Sequence, residues 1–513
     1  MQFEGPGAGH CNCDQAHNYP WAFGPRLGVA FQITPKTVFR TGFGIVYSNT
    51  ESNNNANTGL AGSSNSIATS SFGTAVTTLS QGIAGVANIY PPAWPNLNPS
   101  QFNPTGTPSA STLVFMDPNA GRPARQYQWS IGIQREITTN TVVDVSYIGN
   151  RGIWWYAPGL ENINAINPAT LLARGIDVTT AAGQALLKTT VGSALAKNSG
   201  IGLPYPTFPL TGTVAQSLRP FPQYTNIFTY WNPMGDTWYD ALQVKGTKRL
   251  SHGLAVVTTF AWQRTLDIGS ERDPNPGTAG NAVTNDVFVH NNNKYLSASD
   301  QPLVFNISVT YTTPKLGLGN KALSYIARDW TYGAFLQYAS GLPIQVPYAN
   351  NQLSSLLFDS IPGVPASTGT FANRVPGQPL YTVDLNCHCY DPSKTFVLNP
   401  LAWQDPPAGQ FGTSAAYYND YRTQRRPIEN MNLGRTWRIK ERASLNIRME
   451  FSNVFNRAFW NNPTNTNATA AQQRLPNGNT ASGFGYLNTT TFSASTGPNI
   501  LPRQGTLIAR FTF

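Results

Sequence analysis

Residues 126–136 read QYQWSIGIQRE, and the alternation inside them decides the fold. Tyr127, Trp129, Ile131 and Ile133 share one face of an extended chain, while Gln126, Gln128, Ser130, Gln134 and Glu136 share the other. Side chains of a strand point to opposite faces with period two, so this segment is apolar on one side and wet on the other. Ser444 to Phe455 repeats the pattern, with Leu445, Ile447, Met449, Phe451 and Phe455 opposite Ser444, Asn446, Arg448, Glu450 and Ser452. At the chain end Leu507, Ala509, Phe511 and Phe513 stand opposite Thr506, Arg510 and Thr512.

Working outward, the same reading places strands at Gly24 to Thr34, Thr37 to Ser48, Thr141 to Gly149, Trp238 to Arg249, Leu254 to Thr265, Leu303 to Thr313, Trp330 to Ser340 and Glu429 to Ile439, about eleven in all. Their connections alternate in length. Pro35-Lys36, Thr138-Thr139-Asn140, Ser251-His252-Gly253 and Lys440-Glu441-Arg442 are tight turns, and Pro314 to Asp329 is a somewhat longer link on the same side. Asn49 to Arg125, Asn150 to Thr237, Leu266 to Pro302, Gly341 to Ile428 and Asn456 to Gln504 are long and crowded with Asn, Thr, Ser, Pro and Gly.

Composition excludes several classes. Only 11% of the 513 residues are charged, against about 25% in an average soluble domain. The 45 Gly and 39 Pro argue against coiled coils and helical bundles, and 12 Trp, 22 Tyr and 26 Phe argue against disorder. The net charge of +10 invites a nucleic-acid reading, but Lys and Arg are scattered and no recognition motif accompanies them, so no nucleic-acid partner is expected. No run of 18 apolar residues provides a membrane-spanning helix. Met1 to Cys13 lacks the basic and apolar regions of a signal peptide, which taken alone points to the cytosol.

A soluble β-sandwich also alternates, but its loops are usually short. Here the long connections all fall at one end, and aromatics recur near strand ends: Tyr47, Trp129, Tyr147, Trp262, Tyr311, Trp330, Tyr338 and Trp437. Long outer loops and aromatic girdles are the signature of a transmembrane antiparallel up-and-down β-barrel, whose strands read lipid-out and polar-in. The expected location is therefore the cell outer membrane, with its lipid as a partner. Counting back from Phe513 at the periplasmic side puts every tight turn inside and every long loop outside. It also gives an odd strand number, whereas bacterial single-chain barrels have even ones. The expectation is a partial barrel over residues 24–513 preceded by an outer-loop remnant at 1–23.

In combination these strands resemble the C-terminal barrel of TonB-dependent outer-membrane receptors, in particular the Oar-like branch. Gly24-Pro25-Arg26-Leu27-Gly28-Val29-Ala30-Phe31 followed by Arg40-Thr41-Gly42-Phe43-Gly44-Ile45-Val46-Tyr47 is similar to one hairpin of that family. Gln126-Tyr127-Gln128-Trp129-Ser130 with Val145-Ser146-Tyr147-Ile148-Gly149-Asn150-Arg151-Gly152 resembles the next. Tyr239 to Gln243, Ser340 to Pro343 and Arg448 to Asn456 continue it, so the likeness spans about residues 20 to 513. The resemblance implies uptake of a scarce small ligand, driven by an inner-membrane energy-transducing complex. The family's carboxypeptidase-regulatory-like domain, TonB box and plug have no counterpart in this sequence, and gated transport needs them. Phe513, with Phe511 two before it and Leu507 and Ala509 on the same row, is similar to the β-signal read by the barrel-assembly machinery. A non-transporting adhesin or structural barrel is the alternative function.

Few residues invite chemistry. Cys11-Asn12-Cys13, flanked by His10 and His17, and Cys387-His388-Cys389 could form disulfides in an oxidising exterior. Alternatively, the two C-x-C pairs with His could hold zinc or stay as free thiols, and three disulfide connectivities are possible. Asp144 and Glu450 fall on polar strand faces, among Arg448, Gln128 and Gln134, where they would line a lumen. Asp267, Glu271, Asp273, Asp286 and Asp300 lack the order of a calcium loop. No catalytic motif stands in a supporting context, so neither an enzyme nor a cofactor is expected. Pro168 to Asn198 is read as the one helical stretch, divided near Gly175 and Gly183, in an outer loop that either packs over the mouth or acts as a lid. Trp154, Trp155, Tyr156, Tyr230, Trp231, Trp403, Tyr417, Tyr418 and Tyr421 either stack on ligand or bury against neighbouring loops.

Overall fold

The computed structural model describes residues 3–4, 10–11, 17–48, 113–157, 160–224, 227–230, 232–269, 284–314, 321–351, 353–357, 370–387, 389–439, 443–489 and 502–513. Its frame is one antiparallel meander in which each long strand bonds to the next in sequence. The strands are β1 (Arg26–Thr34), β2 (Thr37–Tyr47), β3 (Arg125–Thr138), β4 (Thr141–Trp155), β5 (Gly235–Ser251), β6 (Leu254–Ile268), β7 (Leu303–Thr312), β8 (Trp330–Ala339), β9 (Ile428–Ile439), β10 (Ala443–Ser452) and β11 (Gln504–Thr512). All eleven fall where alternation marks them. They run from 9 to 17 residues, enough for a tilted crossing, which takes about 9–11. Among the described residues no helix is long and apolar enough to cross a membrane.

Register turns the period-two code into two surfaces. Phe31, Phe39, Ile133, Val145, Val244, Phe260, Phe305 and Tyr338 lie side by side across eight strands. One residue along, Gln134, Asp144, Lys245, Thr259, Asn306 and Gln337 form a polar row on the opposite face. The apolar row continues its neighbours' exposure at Leu433, Met449 and Leu507, which pair across β9, β10 and β11. Such a continuous exposed apolar band suits hydrocarbon, where the ladder satisfies the amides of the strands between the two edges.

The turns follow backbone chemistry. His252 and Gly253 both have positive φ, 50° and 81°, the requirement of the two-residue hairpin turn whose twist matches the strands. A Cβ on Gly253 would lie 2.0 Å from the Thr312 carbonyl oxygen. β1 and β11 are the two edges; both run from the loop end to the turn end, so they are parallel to each other and the sheet is not closed among the described residues.

The structure corrects the helical reading. Pro168 to Asn198 holds α1 (Pro168–Ala173), α2 (Ala181–Lys188) and α3 (Ala194–Asn198). Gly175, at φ +78°, does end the first turn, but Gly183 lies inside α2, against the Asp177 carbonyl. The breaks come instead from capping: Asn167, Thr180 and Ser193 each accept a bond from an N-terminal amide. Nor is the stretch the sole helical one, since α4 (Val214–Ser217), α5 (Lys321–Ala327) and α6 (Leu353–Leu357) join it. β4 runs beyond Gly149 to Trp155, so Trp154 and Trp155 end a strand.

Candidate functional site

Two surfaces could meet a ligand: the polar face of the sheet and the cap built by the long loops. On the first, a recess of about 470 Å³ opens between β7 and β11. Thr310, Gly333, Asn432, Glu450 and Thr506 form one continuous row across it. Asn430, Gln504 and Phe335 complete its wall. Gly333 keeps the row open, because a Cβ there would fall 2.4 Å from the Asn432 side-chain amide. Glu450 pairs with Arg448 at 2.7 Å, both about two-fifths exposed. Hydroxyls, amides and one screened carboxylate can bind a polar solute by hydrogen bonds; they form no nucleophile and base pair. Of the lumen candidates, Asp144 lies opposite Lys245 and Gln134.

The second surface is a folded body in its own right. One apolar core joins Tyr295, Ile344, Phe371, Leu398, Trp403 and Phe484 from three loops. A second packs the helices, with Leu171 and Leu187 against Leu353 and Leu357 of α6. This decides part of the aromatic question: Trp403, Tyr417 and Tyr421 are buried among loops, with Trp403 and Tyr421 rings 5.3 Å apart. Trp154 takes the guanidinium of Arg125 at 4.2 Å. The side chains of Tyr230 and Trp231 lie outside the described residues.

Polar clamps cross-link the cap. Arg422 uses all five of its N–H groups: to Asp300 Oδ2 at 2.6 Å, the Asp300 carbonyl at 2.7 Å, the Gly341 carbonyl at 3.1 Å, the Asn419 carbonyl at 2.8 Å and Asn419 Oδ1 at 2.9 Å. Asp300 is 1% exposed in its side chain and also accepts from the Thr265 amide at 2.7 Å, which ties the clamp to β6. Tyr381 donates to the Arg422 carbonyl at 2.8 Å, and burial pushes its phenol up to about 12. Arg457 forks onto buried Glu429 at 2.6 and 3.0 Å, joining the loop after β10 to the start of β9. None of these long-range pairs has a local sequence signal, since Asp300 and Arg422 are 122 residues apart.

Of the cysteines, Cys387 and Cys389 bond to each other, with Cα atoms 5.2 Å apart. Cys13 lies outside the described residues, as do Glu271 and Asp273. Among the described residues no group of three or more His, Cys, Asp or Glu side chains is placed to hold a metal ion. Asp286 accepts from the Phe288 and Val289 amides and from Asn292. At the chain end, Leu507, Ala509 and Phe511 pair with Met449, Ile447 and Leu445, so they share the apolar face. The Phe511 and Phe513 rings stack at 6.0 Å, and Phe513 is 94% exposed.

A family described as outer membrane β-barrel domain matches residues 2–505. The chain belongs to that family. Its apolar band is therefore the lipid-facing surface of an outer membrane β-barrel domain, its tight turns lie in the periplasm and its loop cap lies outside the cell. No curated protein matches this domain. Among solved structures it is similar to a variant ferric enterobactin receptor of Pseudomonas aeruginosa in complex with enterobactin, at 10% identity and a TM-score of 0.37, covering 95% of this chain and 40% of that one. It is also similar to the outer membrane transporter YddB of Escherichia coli, at 9% identity and TM-score 0.35, covering 92% of this chain and 39% of that one. The unliganded ferric citrate transporter FecA gives 8% identity and TM-score 0.33, with 95% and 38% covered. The domain thus spans 38% to 40% of the length of these three structures.

Proposed function

We propose that this domain forms the C-terminal wall of a TonB-dependent receptor of the Oar-like branch, which takes up a scarce ligand across the outer membrane. The observation that carries the reading is the pair of hairpin motifs, Gly24 to Tyr47 and Gln126 to Gly152, which fall on adjacent strands β1 to β4. The polar recess above Glu450 gives a wall that solute or a lumen-filling domain can wet. Because β1 and β11 run parallel, an antiparallel closure takes an odd number of further strands. In this reading the energy-transducing complex acts through parts other than this wall, and the assembly machinery reads Leu507, Ala509, Phe511 and Phe513.

The test is growth of the native host, with and without the gene, on limiting iron-siderophore complexes, oligosaccharides or peptides. Loss of growth on one class, reproduced by a protonophore and restored by the gene, is expected. Unchanged growth on every class, with the loops still displayed at the surface, assigns the domain to adhesion or to a structural barrel instead.

A further inference from the structure

We propose that α5 is an in-plane membrane helix, docked on the outer wall of the sheet and seated in the phospholipid headgroup boundary of the periplasmic leaflet. It lies in the link between β7 and β8, on the tight-turn side. Arg435 stands on β9. Register places it between Trp330 and Ile447, with Ala509 beyond, on the row that carries the lipid-facing side chains. A guanidinium facing lipid is unfavourable, yet this residue is only 7% exposed.

α5 is what covers it. Arg435 donates to the Tyr325 carbonyl, and its guanidinium carbon lies 5.2 Å from the Tyr325 ring, 5.7 Å from Trp330 and 5.1 Å from Trp437. The indole N–H of Trp330 donates to the Ile326 carbonyl at 2.8 Å. The last turn of a helix leaves carbonyls without intrahelical donors, and here two of them are filled from the sheet wall. The helix is therefore fastened to the lipid-facing surface. At Asp329, φ +62°, the chain turns back into β8.

Leu323, Tyr325 and Ile326 of the helix are 56%, 48% and 58% exposed. Thus a charged position in the wall is hidden and an apolar surface is shown in its place. That surface continues the band formed by Trp330, Trp437, Leu445 and Phe511. Apolar residues joined by Tyr and Arg at a bilayer edge are the composition of an interfacial helix. Arg328 stacks 4.7 Å from the Tyr325 ring and pairs with Asp329 at 3.4 Å.

The test places a nitroxide at Ile326→Cys in the full chain, reconstituted in vesicles of phosphatidylethanolamine and phosphatidylglycerol. Collision with oxygen and with a water-soluble nickel chelate is then compared with labels at Leu433→Cys in the lipid band and Leu172→Cys in the outer loops. The expected oxygen-to-nickel ratio at position 326 is severalfold above that at 172 and close to that at 433. A ratio matching position 172 would overturn the proposal, and would leave a periplasmic protein as the candidate for this surface. Ile326→Asp is the second variant: if the helix lies in lipid, that change should shift the label at Leu323→Cys toward the aqueous value, whereas an unchanged ratio would also overturn it.

Discussion

Replacing Arg422 by Met should open the loop cap while leaving the sheet intact. The substitution keeps the aliphatic stem but removes five donors and leaves Asp300 with its Thr265 amide alone. The Asp300 side chain is 1% exposed and that of Arg422 11%, so the surviving carboxylate stays in a low-dielectric site. Breaking such a pair on one side costs about 3–5 kcal/mol, because the remaining charge has no compensation. Hydrogen exchange converts this into roughly two to four powers of ten in opening rate. The amides to follow are Ile344, bonded to the Tyr421 carbonyl at 2.8 Å, and Thr423, bonded to the Leu342 carbonyl at 2.8 Å. Strand amides such as Val244 should not change. Adding Asp300→Asn to Arg422→Met removes the stranded charge and should restore a large part of the protection. A loss of less than about tenfold at Ile344 and Thr423, or an equal loss at Val244, would refute the idea that this clamp holds the cap.

Three further outcomes are expected. Changing Phe511 and Phe513 to Asp should strand the surface-displayed protein in the periplasm, as fractionation would show; charges near the rim cost only about 0–1 kcal/mol in lipid, so normal display would dismiss recognition of these side chains. Gly149→Val should lower thermal stability by about 1–3 kcal/mol through overpacking, since a Cβ there falls 2.2 to 2.4 Å from the Trp129 indole; an unchanged melting temperature would contradict that register. The Tyr381 phenol has its folded pKa raised by burial to about 12 from 10.0, so its contribution is complete below pH 10 and fades as pH rises through 12. Following loop stability against pH in the native chain and in Tyr381→Phe tests this, the variant losing that slope.

The strands were legible because each has to satisfy two solvents at once, and Tyr127, Trp129, Ile131 and Ile133 record that at every second position. The cap was not. Its Asn- and Thr-rich chain reads as solvated loop, and Trp403, Tyr417 and Tyr421 are buried in a core whose members run from Tyr295 to Leu487. Asp300 was visible as one of several acidic loop residues, but nothing near it announced Arg422. α5 escaped for a different reason. Seven residues offer too little period for a helix to be recognised, and the arginine that explains it lies on another strand.

The Arg422 clamp also bears on the order in which the molecule can be put together. Asp300 precedes β7 and Arg422 follows β8, so the two can meet only after that whole hairpin has crossed the bilayer. A meander can grow one neighbour at a time, since each strand pairs with the next, and lengthening a loop adds only slowly to its closure entropy. The clamp adds directionality to that growth. Once both ends are outside, sliding the hairpin back would require five bonds to break together and two charged groups to part, so the external bond acts as a ratchet on strands that it never touches.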